Sequence, residues 1–168
     1  MMMNRLLVLL LLVASVTAAK ELTLKPYEAY VMDYDRNTTG LVRHMKVYKA
    51  PKWVAKITLQ NGKKIFFSSP KSMIEFYLQP GKWFDVGVKS EADFKQILVT
   101  DYATMEPINA RGAFFVYGSN VTSPAGDDLV PFANYDTAQR FSKEHNGKRV
   151  MAFAEIPDAL IRLLNGRI

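Results

Sequence analysis

The chain of 168 residues contains no cysteine. That excludes disulfide stapling, thiol redox chemistry, a lipoprotein anchor and every thiolate metal site, so the fold must stand on its hydrophobic core. Histidine is nearly as scarce. Its two copies, His44 and His145, argue against acid–base catalysis by an imidazole pair. Hydrolytic and nucleotide-binding signatures are missing as well: there is no Gly-x-Ser-x-Gly, no His-Glu-x-x-His and no glycine-rich phosphate loop. An enzyme is not expected. After the first nineteen residues, no stretch is long and apolar enough to span a bilayer.

Those nineteen residues read as a secretory signal (1–19). Arg5 is the charged n-region, Leu6 to Val16 is an unbroken run of apolar and small residues, and Ala18 or Ala19 offers a cleavage site. The run would rise only ~16 Å as a helix, short of a hydrocarbon core of ~30 Å. The expectation is therefore an exported, periplasmic protein, with an uncleaved N-terminal anchor as the lesser alternative. Removing Arg5 from 22 basic residues leaves 21 against 16 acidic, a net charge of +5. The lysines are scattered and never form a dense block with interleaved aromatics. Together with export, this argues against nucleic acid as a partner.

From Trp53 onward the pattern is regular. "WVAKITLQNGKKIFF" alternates, with Ala55, Ile57 and Leu59 on one side and Lys56, Thr58 and Gln60 on the other, and Asn61-Gly62 predicts a type I′ hairpin. Ser69 then Pro70 reads as N-cap and first helical residue, and Pro80-Gly81 stops that helix. Gln96 to Thr100 is a predicted strand. The second half repeats the order: a strand over Gly112–Ser119, a turn-rich loop "NVTSPAGDD", a short strand over Leu129–Phe132, a helix capped by Asn134, and a closing strand in "KRVMAFA". Phe67 stands nine residues before Phe76, as Phe132 stands nine before Phe141, each pair with a small polar cap between. The repeat predicts an α+β fold of tandem duplicated ββαβ units, small antiparallel or mixed sheets each packed by a helix, plus a C-terminal helix over Pro157–Asn165. The expected units are 20–100 and 101–168. "EAYVMDYD", Glu28 to Asp35, is read as a strand and Asn37 to Gly40 as a turn.

Few residues could carry chemistry. Asp127-Asp128 and Asp33/Asp35 are carboxylate pairs better explained as turn residues than as catalysts or a hard-cation site. Asn37 and Asn120 open glycosylation acceptor triplets, relevant only in a eukaryotic secretory pathway. Imidazole and thioether donors favour Cu(I). Past the signal the methionines are Met32, Met45, Met73, Met105 and Met151. Met73 and Met151 fit core positions, Met105 lies in a linker, and His145 suits a helix C-terminus. His44-Met45 is the exception, beside a loop entering a strand. Adjacent strand residues point to opposite faces, so only a turn there would let both hold one ion. The residues alone leave open whether they do.

The segments Val99-Thr-Asp-Tyr102, Ile108-Asn-Ala-Arg111, Gly118-Ser-Asn-Val121, Pro124-Ala-Gly126, Leu129-Val-Pro-Phe132 and Phe153-Ala-Glu-Ile156, in that order, resemble the NosL family. The upstream "WVAKITLQNGKKIFFSSPKSMIEFY" is similar too, and coverage runs from about residue 41 to 156. NosL proteins are accessory proteins that supply copper during nitrous oxide reductase maturation, built as a tandem of ββαβ units. The resemblance implies Cu(I) as ligand. It implies nitrous oxide reductase or its membrane ABC-type maturation complex as partner, with a second NosL-like protein as a further candidate. The chain departs from the family pattern at several points. The lipoprotein cysteine is absent, and the usual Cys-x-x-Cys-Gly-Met segment is Gly40-Leu-Val-Arg-His-Met45, with Gly40 and Arg43 at the cysteine positions. The family's Gly-Pro-Met-Gly is Ser123-Pro124-Ala125-Gly126. Met45 and the helix methionine Met73 remain, so the expected metal set is His44, Met45 and Met73, with His44 in place of a thiolate. A metal-free NosL-like adaptor that has lost its ligands is the alternative.

Overall fold

The computed structural model describes residues 29–167; the signal reading and its cleavage sites lie outside that range. The strands are β1 Ala55–Leu59, β2 Lys64–Phe67, β3 Phe94–Thr100, β4 Pro107–Asn109, β5 Phe114–Ser123, β6 Gly126–Phe132 and β7 Arg149–Ala152. The helices are α1 Pro70–Leu78, α2 Tyr135–Glu144 and α3 Asp158–Leu164. Two sheets form, ordered β2-β1-β3-β4 and β6-β5-β7. Every strand pair is antiparallel. The fold class is α+β, as the sequence predicts. In each sheet the first strand is central, flanked by its hairpin partner and by the strand that follows the helix.

The aromatic spacing noted in the sequence has a packing consequence. Phe67 ends β2 and its ring lies 5.6 Å from that of Phe76 on α1, while Phe132 ends β6 with its ring 4.9 Å from Phe141 on α2. In both places the strand–helix corner is a small polar cap, Ser69 or Asn134, whose side-chain oxygen accepts a backbone N–H three residues on. The α1 helix packs into a large core shared by Ile57, Phe67, Phe94, Phe115, Leu129 and Ile161. On the opposite face of the second sheet, Val116 and Val130 join Trp53, Phe132, Ala138 and Phe141 against α2. Alternate residues of β5 therefore serve both layers.

Four local expectations change. Asn61-Gly62 is not a type I′ turn, because Gly62 alone of the pair has positive φ. The Gly62 N–H donates to Leu59 O and the Leu59 N–H to Lys63 O, the pattern of a three-residue loop closed by a left-handed glycine. The "NVTSPAGDD" segment is not a loop: β5 and β6 continue through it to a two-residue turn at Pro124-Ala125, with irregular register between Tyr117 and Thr122. Residues 29–35 form no strand. His44-Met45 leads into two short 3-10 turns, Val47–Lys49 and Pro51–Trp53, rather than directly into β1.

Lys56, read as outward-facing, is buried. The chain at 31–33 crosses over it, and its ammonium donates to Val31 O and, at 2.8 Å, to Asp33. Burial alone would raise the Asp33 pKa, but hydrogen bonds from Lys56 and Lys64 outweigh it and hold the carboxyl at about 2 against an ordinary 3.8. Because the folded value lies below the unfolded one, the stabilisation is present above about pH 4 and fades as pH falls toward 2. An Asp33→Asn variant is expected to have a lower urea midpoint than wild type at pH 7. Titrating both proteins downward should close that gap; a gap that persists unchanged at pH 2 would contradict the assignment.

Candidate metal centre

The loop 40–45 is a closed turn. The His44 N–H donates to Gly40 O at 3.0 Å and the Gly40 N–H to Met45 O at 2.9 Å, while the Leu41 N–H ties the loop to Phe66 O on the edge of the first sheet at 2.8 Å. Closing it requires a left-handed residue, and His44 supplies one with φ 53°. Such a conformation is uncommon for a residue other than glycine, although histidine is among those enriched there. The turn abolishes the strand alternation that would have set the two side chains on opposite faces. His44 and Met45 are both exposed, and both line one cavity of about 320 Å³ with Lys46, Lys49, Ser68 and Pro124. Gly40 is needed for a different reason. A Cβ there would stand 3.0 Å from Ser68 N and 3.4 Å from the Phe67 backbone, so the loop lies backbone to backbone on the end of β2.

Met73 is placed differently. It has 0% exposure on α1 and belongs to the main core, off the lining of the cavity. Met151 is likewise core and Met105 is exposed, at positive φ. His145 is the C-cap of α2, stacks on Phe141 with centroids 4.2 Å apart, and has Nδ1 3.3 Å from Asn120 Oδ1. Among the described residues no three of His, Asp or Glu group as metal ligands.

Behind the cavity lies a polar network that the sequence did not suggest. Asp128, read as a turn residue, is buried on β6. It accepts the Lys71 backbone N–H at 2.7 Å, the Leu129 N–H at 2.8 Å and the Ser123 hydroxyl at 2.7 Å. The N-terminus of α1 is thereby fully satisfied: Pro70 has no N–H, Lys71 has Asp128, Ser72 has Ser69 Oγ, and Met73 has Ser69 O. The Lys71 side chain, 1% exposed, donates to Ala125 O at 2.8 Å and to Leu164 O at 3.0 Å. Burial pushes the Asp128 carboxyl up and the Lys71 ammonium down. Arg43 reaches Asn165 at 2.6 Å, and Asn165 and Arg167 both bond the buried Glu75. These contacts bind α1, the β5–β6 turn and the end of α3 into one unit. That unit sets Pro124 against the His44–Met45 loop. The signal that could have revealed it was the charged pair Lys71 and Asp128, each adjacent to a cap or turn.

The NosL family profile matches residues 30–161. Among solved structures, the crystal structure of the copper chaperone NosL from Shewanella denitrificans superposes with a TM-score of 0.65 at 24% identity, over 80% of this chain and 99% of that one. The solution NMR structure of the apo-NosL protein from Achromobacter cycloclastes aligns with a TM-score of 0.41 at 27% identity, over 64% of this chain and 87% of that one. No curated protein matches. The family profile spans most of the chain, from the 30–35 cover to α3, so this cysteine-free protein belongs to the NosL family.

Proposed function

We propose that the chain is an exported Cu(I)-binding accessory protein, not an enzyme, that delivers copper for nitrous oxide reductase maturation through the reductase's membrane ABC-type complex. The supporting observation is that His44 and Met45, one imidazole and one thioether, lie on a closed turn and line one solvent-open cavity. Soft and borderline donors of this kind suit Cu(I) among biological metals. Membership of a family with a solved copper chaperone supports the same cargo. Met73 is sealed in the core, so the site rests on the two loop residues.

The test is an anaerobic Cu(I) titration against a chromophoric chelator. A His44→Ala, Met45→Ala double variant is expected to bind at least roughly tenfold more weakly, the equivalent of ~1.4 kcal/mol. Met73→Leu, which conserves volume, is expected to change nothing. Equal affinity in wild type and the double variant would remove the site. The burial of Met73 favours a second reading, a metal-free adaptor that keeps a docking surface and works beside a second NosL-like protein. Absence of any Cu(I) binding by the wild type would select it.

A further inference from the structure

We infer that the His44–Met45 cavity receives Cu(I) together with an anionic thiolate that this chain cannot itself supply. The inference rests on the Cu(I) reading above and adds a co-ligand to it.

Three features of the cavity carry it. The first is charge. Lys46 and Lys49 line the cavity and no carboxylate does, so a bare copper cation enters against two ammonium groups of like sign. Copper already bound to a thiolate carries no net positive charge, and the same lysines then attract the sulfur. The second is an orphan hydroxyl. Ser68 is 3% exposed, lines the cavity, and its Oγ has no hydrogen-bond partner. Buried polar groups without partners are rare, and a thiolate sulfur would accept from this O–H. The third is space. A cavity of about 320 Å³ far exceeds a single ion or a water's share of ~30 Å³, yet His44 and Met45 are its only soft donors. The thiolate keeps its bond to copper while the imidazole nitrogen and the thioether sulfur take the remaining positions. No electron moves, and copper stays Cu(I). Of the two lysines, Lys46 is held by Asn37 O at 2.6 Å and Thr39 Oγ1 at 2.9 Å, which leaves Lys49 the better placed to follow the sulfur.

Equilibrium dialysis of the purified chain with Cu(I) and labelled 3-mercaptopropionate tests this. Thiol should be retained in step with copper and not by copper-free protein. Cysteamine, whose tail is cationic, should be retained several-fold less. A Lys49→Glu variant should show opposite effects: weaker thiol retention, but tighter Cu(I) binding in thiol-free chelator competition. Ser68→Ala should lower thiol retention without a change of charge. A cysteine peptide flanked by aspartates that is retained above mercaptopropionate would assign the sulfur to a protein donor, and the reverse order to a free thiol. In the dialysis, copper retained with no thiol beside it although mercaptopropionate is present would overturn the co-ligand and leave the copper site standing. Loss of both signals would overturn both.

Discussion

Phe76→Ala is expected to lower the free energy of unfolding by about 3–5 kcal/mol, the usual cost of emptying an aromatic site in a packed interior. Phe76 has 0% exposure. Its ring meets Phe67 at 5.6 Å, Trp83 at 5.7 Å and Phe94 at 6.1 Å. Those neighbours belong to β2, to the turn after α1 and to β3, so they are fixed from three directions and have little freedom to close the gap. The aromatic pairs add about 0.5–1.5 kcal/mol each beyond area burial, which places Phe76 toward the upper end. The corresponding Phe141→Ala is expected to cost less, because Phe141 retains 8% exposure and packs in the smaller cluster under α2. Urea denaturation at constant slope measures both. A loss under about 1 kcal/mol at Phe76 would mean that the core collapses around the vacancy.

Asp128→Ala is expected to be about as damaging, at about 3–5 kcal/mol, for an electrostatic reason. Removing the carboxylate leaves the N-terminus of α1 with an unpaired N–H and strips the nearby buried Lys71 of the countercharge that offsets its desolvation. Asp128→Asn should lose less, since an amide oxygen still accepts from the Lys71 and Leu129 N–H groups and only the charge is gone. If the two variants were equally destabilised, the lost countercharge to Lys71 would outweigh the lost hydrogen bonds. If both were near wild type, the network would contribute nothing net. The same variants bear on the cavity, because Asp128 also accepts the hydroxyl of Ser123, the residue before the cavity-lining Pro124.

The elements that the sequence revealed are those with local causes. Ser69-Pro70 and Asn134 cap helices by themselves, and the Phe67/Phe76 and Phe132/Phe141 pairs meet because strand end and helix face are separated by one tight corner. Distant partners are what hid the rest. Lys56 read as a surface lysine, yet it and Lys71 are both buried by groups well away in sequence, Asp33 and Val31 for one, Ala125, Asp128 and Leu164 for the other. The extended hairpin through "NVTSPAGDD" was illegible because its residues alternate no apolar side chains; the end of the ladder is held by backbone pairing and by the Ser123 hydroxyl on Asp128. At the candidate site, the adjacency of His44 and Met45 was plain from the sequence, as was the condition that a turn must bring them together. That histidine itself would take the left-handed position was not, since asparagine or glycine is the more usual occupant. The fate of Met73 followed from its place on the apolar helix face, the position that also suggested core packing.

The contact between Gly40 and the end of β2 bears on how this sequence could change over generations. A hydrogen atom is all that fits comfortably at position 40 while Ser68 N stands 3.0 Å from where a Cβ would be. Any donor-bearing side chain introduced there would require the loop and its neighbour to move apart by about a few tenths of an ångström, altering the cradle as it enlarged the ligand set. A lineage that gained a thiol at this point would therefore need a compensating shift elsewhere, and its cheaper path runs through positions 44 and 45, whose side chains are exposed.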